Sequence, residues 1–181
     1  EWLAASYHHQ AAHDLSLARQ AAVQATQLAP EFGFAWVRLA ELEFGNGDTR
    51  AAEAALARGR QFSPRNAQAA ALRGFILAGR GKITAASLAF EEAIELDGAL
   101  GNAWLGRGLV RFYKGDQEGG RADLQVAAAL EPDRAILRSY LGKGFFEIGD
   151  LAHADKELDI ASELDPGDPT SRLYRALLRQ R

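Results

Sequence analysis

The sequence predicts an all-α solenoid of antiparallel helix pairs, and three observations carry that expectation. The first is a period of 34. Trp104, Gly108, Gly115-Asp116, Leu124, Ala127 and Pro132 are matched two periods earlier by Trp36, Ala40, Gly47-Asp48, Leu56, Gly59 and Pro64, and one period later by Arg138, Gly142, Gly149-Asp150, Leu158, Ala161 and Pro166. Weaker copies stand at Trp2, Ser6, His13-Asp14, Ala22, Ala25 and Pro30, and at Ala70, Gly74, Gly81, Phe90, Ala93 and Gly98. The second observation is helical spacing of apolar residues within each period, as in Phe34, Val37, Leu39, Ala40 and Phe44. The third is regular punctuation, with a turn in the middle of each period and proline or glycine near its end. Such units cannot bury their apolar faces alone, so they stack on one another and share no central core.

Taken in order, residues 1–32 give a helix from Trp2 to about Ala12, a turn at His13-Asp14, and a second helix from Leu15 to Ala29. Asp14 caps that helix through its carboxylate, and Pro30 ends it. Residues 33–66 repeat the plan, with a break at Gly45-Asn46-Gly47, a restart at Asp48, a second helix from Thr49 to Phe62, and Pro64 as the stop. Residues 67–100 carry Ala70 in place of the opening aromatic and Gly98 in place of the proline. In 101–134 the second helix contains Gly119-Gly120 near its expected middle, which reads either as a tight crossing or as a soft spot. Residues 135–168 are regular, with Asp150 as cap, and 169–181 form a final helix. Arg172, Arg175 and Arg179 on that helix are expected to be a solvated capping face.

Composition narrows the function. The net charge of −3 argues against a general nucleic-acid binder, which shows a basic stripe. No apolar run approaches the length needed to span a bilayer, so no direct membrane insertion is expected. Cysteine is absent, which excludes disulfides and thiolate chemistry, and methionine is absent too, so the chain is expected to be a piece of a longer protein. Usage rich in alanine, arginine and glycine and poor in lysine is associated with high-GC bacterial genomes. Compartment is left open.

A 34-residue period with a small residue four after the aromatic and a late proline resembles the tetratricopeptide repeat. The resemblance covers essentially the whole chain and implies a right-handed superhelix of eleven helices. It also implies that the first helix of each pair lines a concave groove. On that reading the groove stripe runs Phe34, Val37, Glu41, Phe44; Gln68, Ala71, Phe75, Ala78; Asn102, Leu105, Leu109, Phe112; and Ile136, Ser139, Lys143, Phe146, with Tyr113 and Tyr140 beside it. The expected peptide-binding residues are Phe34, Val37, Phe44, Phe75, Leu105, Leu109, Phe112, Tyr113, Tyr140, Lys143 and Phe146. An apolar, aromatic surface of this kind suits a partner segment with large apolar side chains. The carboxylate clamp known in the family is not reproduced, because its positions carry Val37, Glu41, Leu72, Asn102 and Gly106.

No catalytic or cofactor constellation stands out. His9 and His13 share helical spacing, with His8 adjoining, but the intervening Gln10-Ala11-Ala12 lacks the glutamate of a metalloprotease helix, and His13 falls in the turn column. Gly106-Arg107-Gly108 lies inside a helix and reads as small residues at close contacts. The sequence therefore leads to a non-enzymatic scaffold, without cofactor or metal, that binds an apolar peptide or amphipathic helix in its groove. Two alternatives stay open: a spacer or self-association segment acting through open array ends, or a regulatory array covering an enzymatic domain elsewhere in a longer protein.

Overall fold

The computed structural model describes residues 1–180. Eleven α-helices follow one another with no strand among the described residues: α1 Trp2–Ala11, α2 Leu15–Leu28, α3 Gly33–Gly45, α4 Thr49–Phe62, α5 Ala67–Gly79, α6 Ile83–Leu96, α7 Gly101–Tyr113, α8 Gln117–Leu130, α9 Ala135–Glu147, α10 Leu151–Leu164 and α11 Pro169–Leu178. Arg181, the last residue of the expected final helix, lies outside the described residues. Helices pair in order, α1 with α2 through α9 with α10, and each second helix packs on the first helix of the next pair.

The turn inside each pair is built the same way five times. One residue takes the left-handed conformation that glycine tolerates best: Gly47, Gly81, Gly115 and Gly149 at φ between 71° and 86°, and His13 at 60°. An aspartate then caps the following helix. Asp14, Asp48, Asp116 and Asp150 accept from the amides of Leu17, Ala51, Gly119 and His153 at 2.9–3.3 Å. Lys82 occupies that place before α6 and makes no cap bond.

The joint between pairs has its own device. Trp36 Nε1 donates to the Pro30 carbonyl at 2.8 Å, and Trp104 Nε1 donates to that of Gly98 at 2.9 Å. One and two periods after Trp104, Arg138 Nε reaches Pro132 at 3.0 Å and Arg172 Nε reaches Pro166 at 2.7 Å. What the column supplies is an N–H donor that ties each first helix to the residue ending the pair before it. Ala70 has none to give, so the α4–α5 joint lacks its tether. That joint is also packed more thinly than its counterparts, and the Nδ2 of buried Asn66 at the start of α5 has no protein partner.

Burial runs along the array in columns. Leu56, Phe90, Leu124 and Leu158 form one, and Ala25, Gly59, Ala93, Ala127 and Ala161 another. Arginines pin the pairs together. Buried Asp123 on α8 receives Arg107 through two 2.8 Å bonds and Arg111 at 2.9 Å, both from α7. Gly119 and Gly120 lie in the first turn of α8 and not in its middle. A Cβ on Gly120 would come within 2.6 Å of the Phe112 ring and 3.0 Å of the Gly108 carbonyl, so this is a tight crossing.

Candidate functional site

A first helix inside the array touches its own partner, the second helix before it and the first helices on either side. Little of its circumference is left for the concave side. This corrects one column of the expected stripe. Val37 and Leu105 are 1% and 4% exposed, and Ala71 and Ser139 at equivalent places are buried as well. Val37 packs on α4 where Gly59 leaves room, since a Cβ there would stand 2.6 Å from Val37 Cγ2. Leu105 belongs to the buried cluster with Leu124 and Leu137. Both residues are core, not groove.

The remaining expected residues keep some exposure. Phe34 is 50% exposed and Tyr113 76%, while Phe44, Phe75, Leu109, Phe112, Tyr140, Lys143 and Phe146 are half-buried. Phe34 stands beside Phe32, with ring centroids 5.7 Å apart. Phe75, Leu109, Phe112, Tyr140 and Phe146 all pack against one buried cluster, so the structure brings these five together on α5, α7 and α9.

Phe44 and Phe75 line a cleft of about 820 Å³ bounded by α1, α2, α3, α5 and the start of α7. Its walls are more polar than the stripe suggested. Buried Arg38 donates to Ser6 Oγ at 2.9 Å, to the Ser6 carbonyl at 3.3 Å and to Gln10, and meets Glu41 at 3.3 Å. Its guanidinium lies 4.1 Å above the Tyr7 ring. Burial pushes the Glu41 carboxyl above the usual carboxylate range, with Arg38 opposing. Burial and then Glu41 push the Tyr7 phenol upward, again against Arg38. Buried Glu43 on the same helix receives Arg19 from α2.

Sequence reasoning missed Tyr7, Gln10 and Arg38. The signal was present, since Arg38 shares a column with Leu72, Gly106 and Tyr140, where a long cation stands out. At the other end of the groove, Lys143 Nζ lies 5.7 Å from the ring centroids of both Tyr140 and Tyr174. Tyr174 donates to Glu147 at 3.0 Å and meets Phe146 edge-on at 5.2 Å. Burial, and then the Glu147 bond, push its phenol up to about 12.

The histidines do not converge. His13 sits in the turn after α1 ends, so it does not share a helix with His9, and His153 pairs with Asp150 and stacks on Phe145. Among the described residues no three histidine, aspartate or glutamate side chains gather as metal ligands. No described helix is long and apolar enough to cross a membrane. At the clamp positions Val37 and Leu72 are buried, Asn102 accepts from Arg134 at 3.1 Å, and Gly106 lies beneath Phe90.

No protein-family model matches the sequence, and no curated protein does. Solved structures do. A thermophilic TPR protein of Thermus thermophilus superimposes with a TM-score of 0.82 at 21% identity, over 99% of this chain and 98% of its own. The chain has the tetratricopeptide-repeat fold. The tetratricopeptide array is also similar to the Cut9–Hcn1 hetero-tetramer of the APC/C, with a TM-score of 0.84 and 20% identity over 98% of this chain and 35% of that one. A third likeness, at a TM-score of 0.60 and 19% identity, is to the first TPR of Spaghetti bound to an HSP90 peptide, over 64% of this array and 92% of that chain.

Proposed function

We propose that this array is a non-catalytic protein-interaction scaffold whose concave side receives an extended segment or amphipathic helix of another protein. The observation that carries the reading is the concave cleft of about 820 Å³, to which α1, α3, α5 and α7 all contribute. Partly exposed aromatics continue along α7 and α9 beyond it. Large, half-buried rings beside polar anchors are the composition of interface hot spots. Two of the similar structures are consistent with such use: one is a peptide complex and the other a hetero-tetramer.

The groove divides chemically. Arg38, Glu41, Gln68 and Asn102 give its N-terminal half polar groups, so the segment is expected to place polar residues there and large apolar ones against Phe75, Leu109 and Phe112. Photo-crosslinking tests the reading, with benzoylphenylalanine placed at Tyr113 in the groove and at exposed Leu88 on α6. A partner captured from Tyr113 should bind Phe75→Ala and Phe112→Ala with a loss of about 2 kcal/mol or more each while helicity is unchanged. A partner that crosslinks only from Leu88 and ignores both variants overturns the proposal.

A further inference from the structure

One groove column is phenylalanine on three of the five paired first helices, with Gln10 at the α1 copy. Phe44, Phe112 and Phe146 stand at equivalent places on α3, α7 and α9, and the α5 copy is Ala78. The next residue on α5 is Gly79, where α7 carries Tyr113. In the α7 copy the Phe112 ring closes over Gly120 and lies 3.3 Å from where a Cβ on Gly144 would stand. Without that ring, a hollow of about 400 Å³ opens between α5, α6 and α7. Phe90 has moved into part of the space, which Gly74 and Gly106 permit, since a Cβ on either would fall within 2.6 Å of its ring. What stays open is walled by Phe75, Ile83, Leu109, Val110 and Tyr113.

The rim has a different character. Lys82 and Lys114 directly follow Gly81 and Tyr113 of the hollow's lining, and both are exposed. Neither lysine lies within ion-pair distance of a carboxylate among the described residues, whereas arginines along the array are engaged by Glu43, Glu53, Glu92, Asp123 and Glu157. Unpaired cations beside an apolar hollow complement a ligand that combines one large apolar group with negative charge.

We propose that this hollow receives a single aromatic side chain of a partner segment, with carboxylates flanking that side chain and lying along the lysines. The inference rests on the groove reading and adds the ligand's chemistry and its register on the array. An inserted ring would stand where Phe44, Phe112 and Phe146 stand in their own copies, so the partner completes the column.

The test is an amide NMR titration of the whole chain with three capped peptides: Ac-Asp-Asp-Trp-Asp-Asp-NH2, its alanine counterpart lacking the indole, and Ac-Lys-Lys-Trp-Lys-Lys-NH2. The acidic tryptophan peptide should move the amides of Gly79, Gly81, Leu109 and Tyr113, and the other two should bind at least about tenfold more weakly. Ala78→Phe fills the hollow from within and should cost at least about tenfold in affinity. Lys82→Gln with Lys114→Gln leaves the packing alone and should weaken binding several-fold and flatten its salt dependence. Unchanged binding by the lysine double variant, or by a folded Ala78→Phe, overturns the proposal, as does the absence of shifts at those amides. Shifts confined to the cleft around Arg38 overturn it while leaving the wider groove reading intact; a partner seated on the outer helices removes both.

Discussion

Lys82→Asp should make the protein more stable. Lys82 precedes α6 with φ −83° and ψ 61°, close to the −81° to −93° and 76° to 81° of Asp14, Asp48, Asp116 and Asp150. An aspartate there needs no backbone change to reach the amide of Ala85, as Asp48 reaches that of Ala51 at 2.9 Å. Gaining an N-cap is worth about 1 kcal/mol. Replacing a cation by an anion at a helix N-terminus adds a few tenths at an exposed site, giving about 1.5 kcal/mol in all. For a chain of this size that corresponds to a rise of about 3–6 °C in melting temperature. The assay is thermal denaturation followed by circular dichroism, with hydrogen exchange of the first-turn α6 amides as the local reading. Asp48→Ala is the reverse control and should lose about 1 kcal/mol. A melting temperature that stays put or falls for Lys82→Asp, while Asp48→Ala destabilises, would refute the reasoning.

Two more predictions rest on named contacts. Gly120→Ala should destabilise by about 1–3 kcal/mol in thermal melts, because its methyl meets the Phe112 ring and the Gly108 carbonyl. At Gly119→Ala the nearest atoms are those of the mobile Asp116 side chain, and Leu17 and Ala51 occupy the same place beside their own caps, so it should be neutral or stabilising by up to about 1 kcal/mol. Glu41 has a carboxyl raised by burial, so folding favours its protonated form. Its contribution is fully present below the ordinary glutamate range and is lost as pH rises through the raised value. Glu41→Gln should therefore match the parent near pH 4 and exceed it at pH 7 in paired denaturation curves. The opposite order at pH 7 would show that the Arg38 contact outweighs desolvation.

The helices were legible because their signals are local. Asp48 followed by Thr49, and Phe62 two residues before Pro64, mark α4 at the bounds the structure shows. The turn column was legible for the same reason, since only a left-handed residue closes so short a link. The groove was legible only in part. Periodicity says that Phe34, Val37 and Phe44 share a face, but not how that face is rotated against three neighbouring helices, and the rotation is what buries Val37 and Leu105. Arg38 stands out in its column, but its partners, Ser6 and Gln10, were opaque because they belong to another pair. Gly119 and Gly120 were placed too far along α8, although the same turn signal that fixes α4 sets the start of α8 at Gln117.

The missing tether at Ala70 has a mechanical consequence. In a linear stack, tension passes through every joint in series, so the chain yields first at the one held by least. Three joints carry a Trp or Arg donor across them in the α3, α7 and α9 register, and a fourth carries Arg172. Between α4 and α5 there are thin side-chain packing, the exposed ion pair of Arg80 with Glu53, and a buried amide, Asn66 Nδ2, with nothing to hold. Pulled from its ends, the array should part there into a block of two pairs and a block of three with α11. The broad cleft spans that seam, with Arg38 and Glu41 on one bank and Gln68 and Phe75 on the other. A segment lying across the cleft would bridge both banks and share the load that the absent tether leaves uncarried.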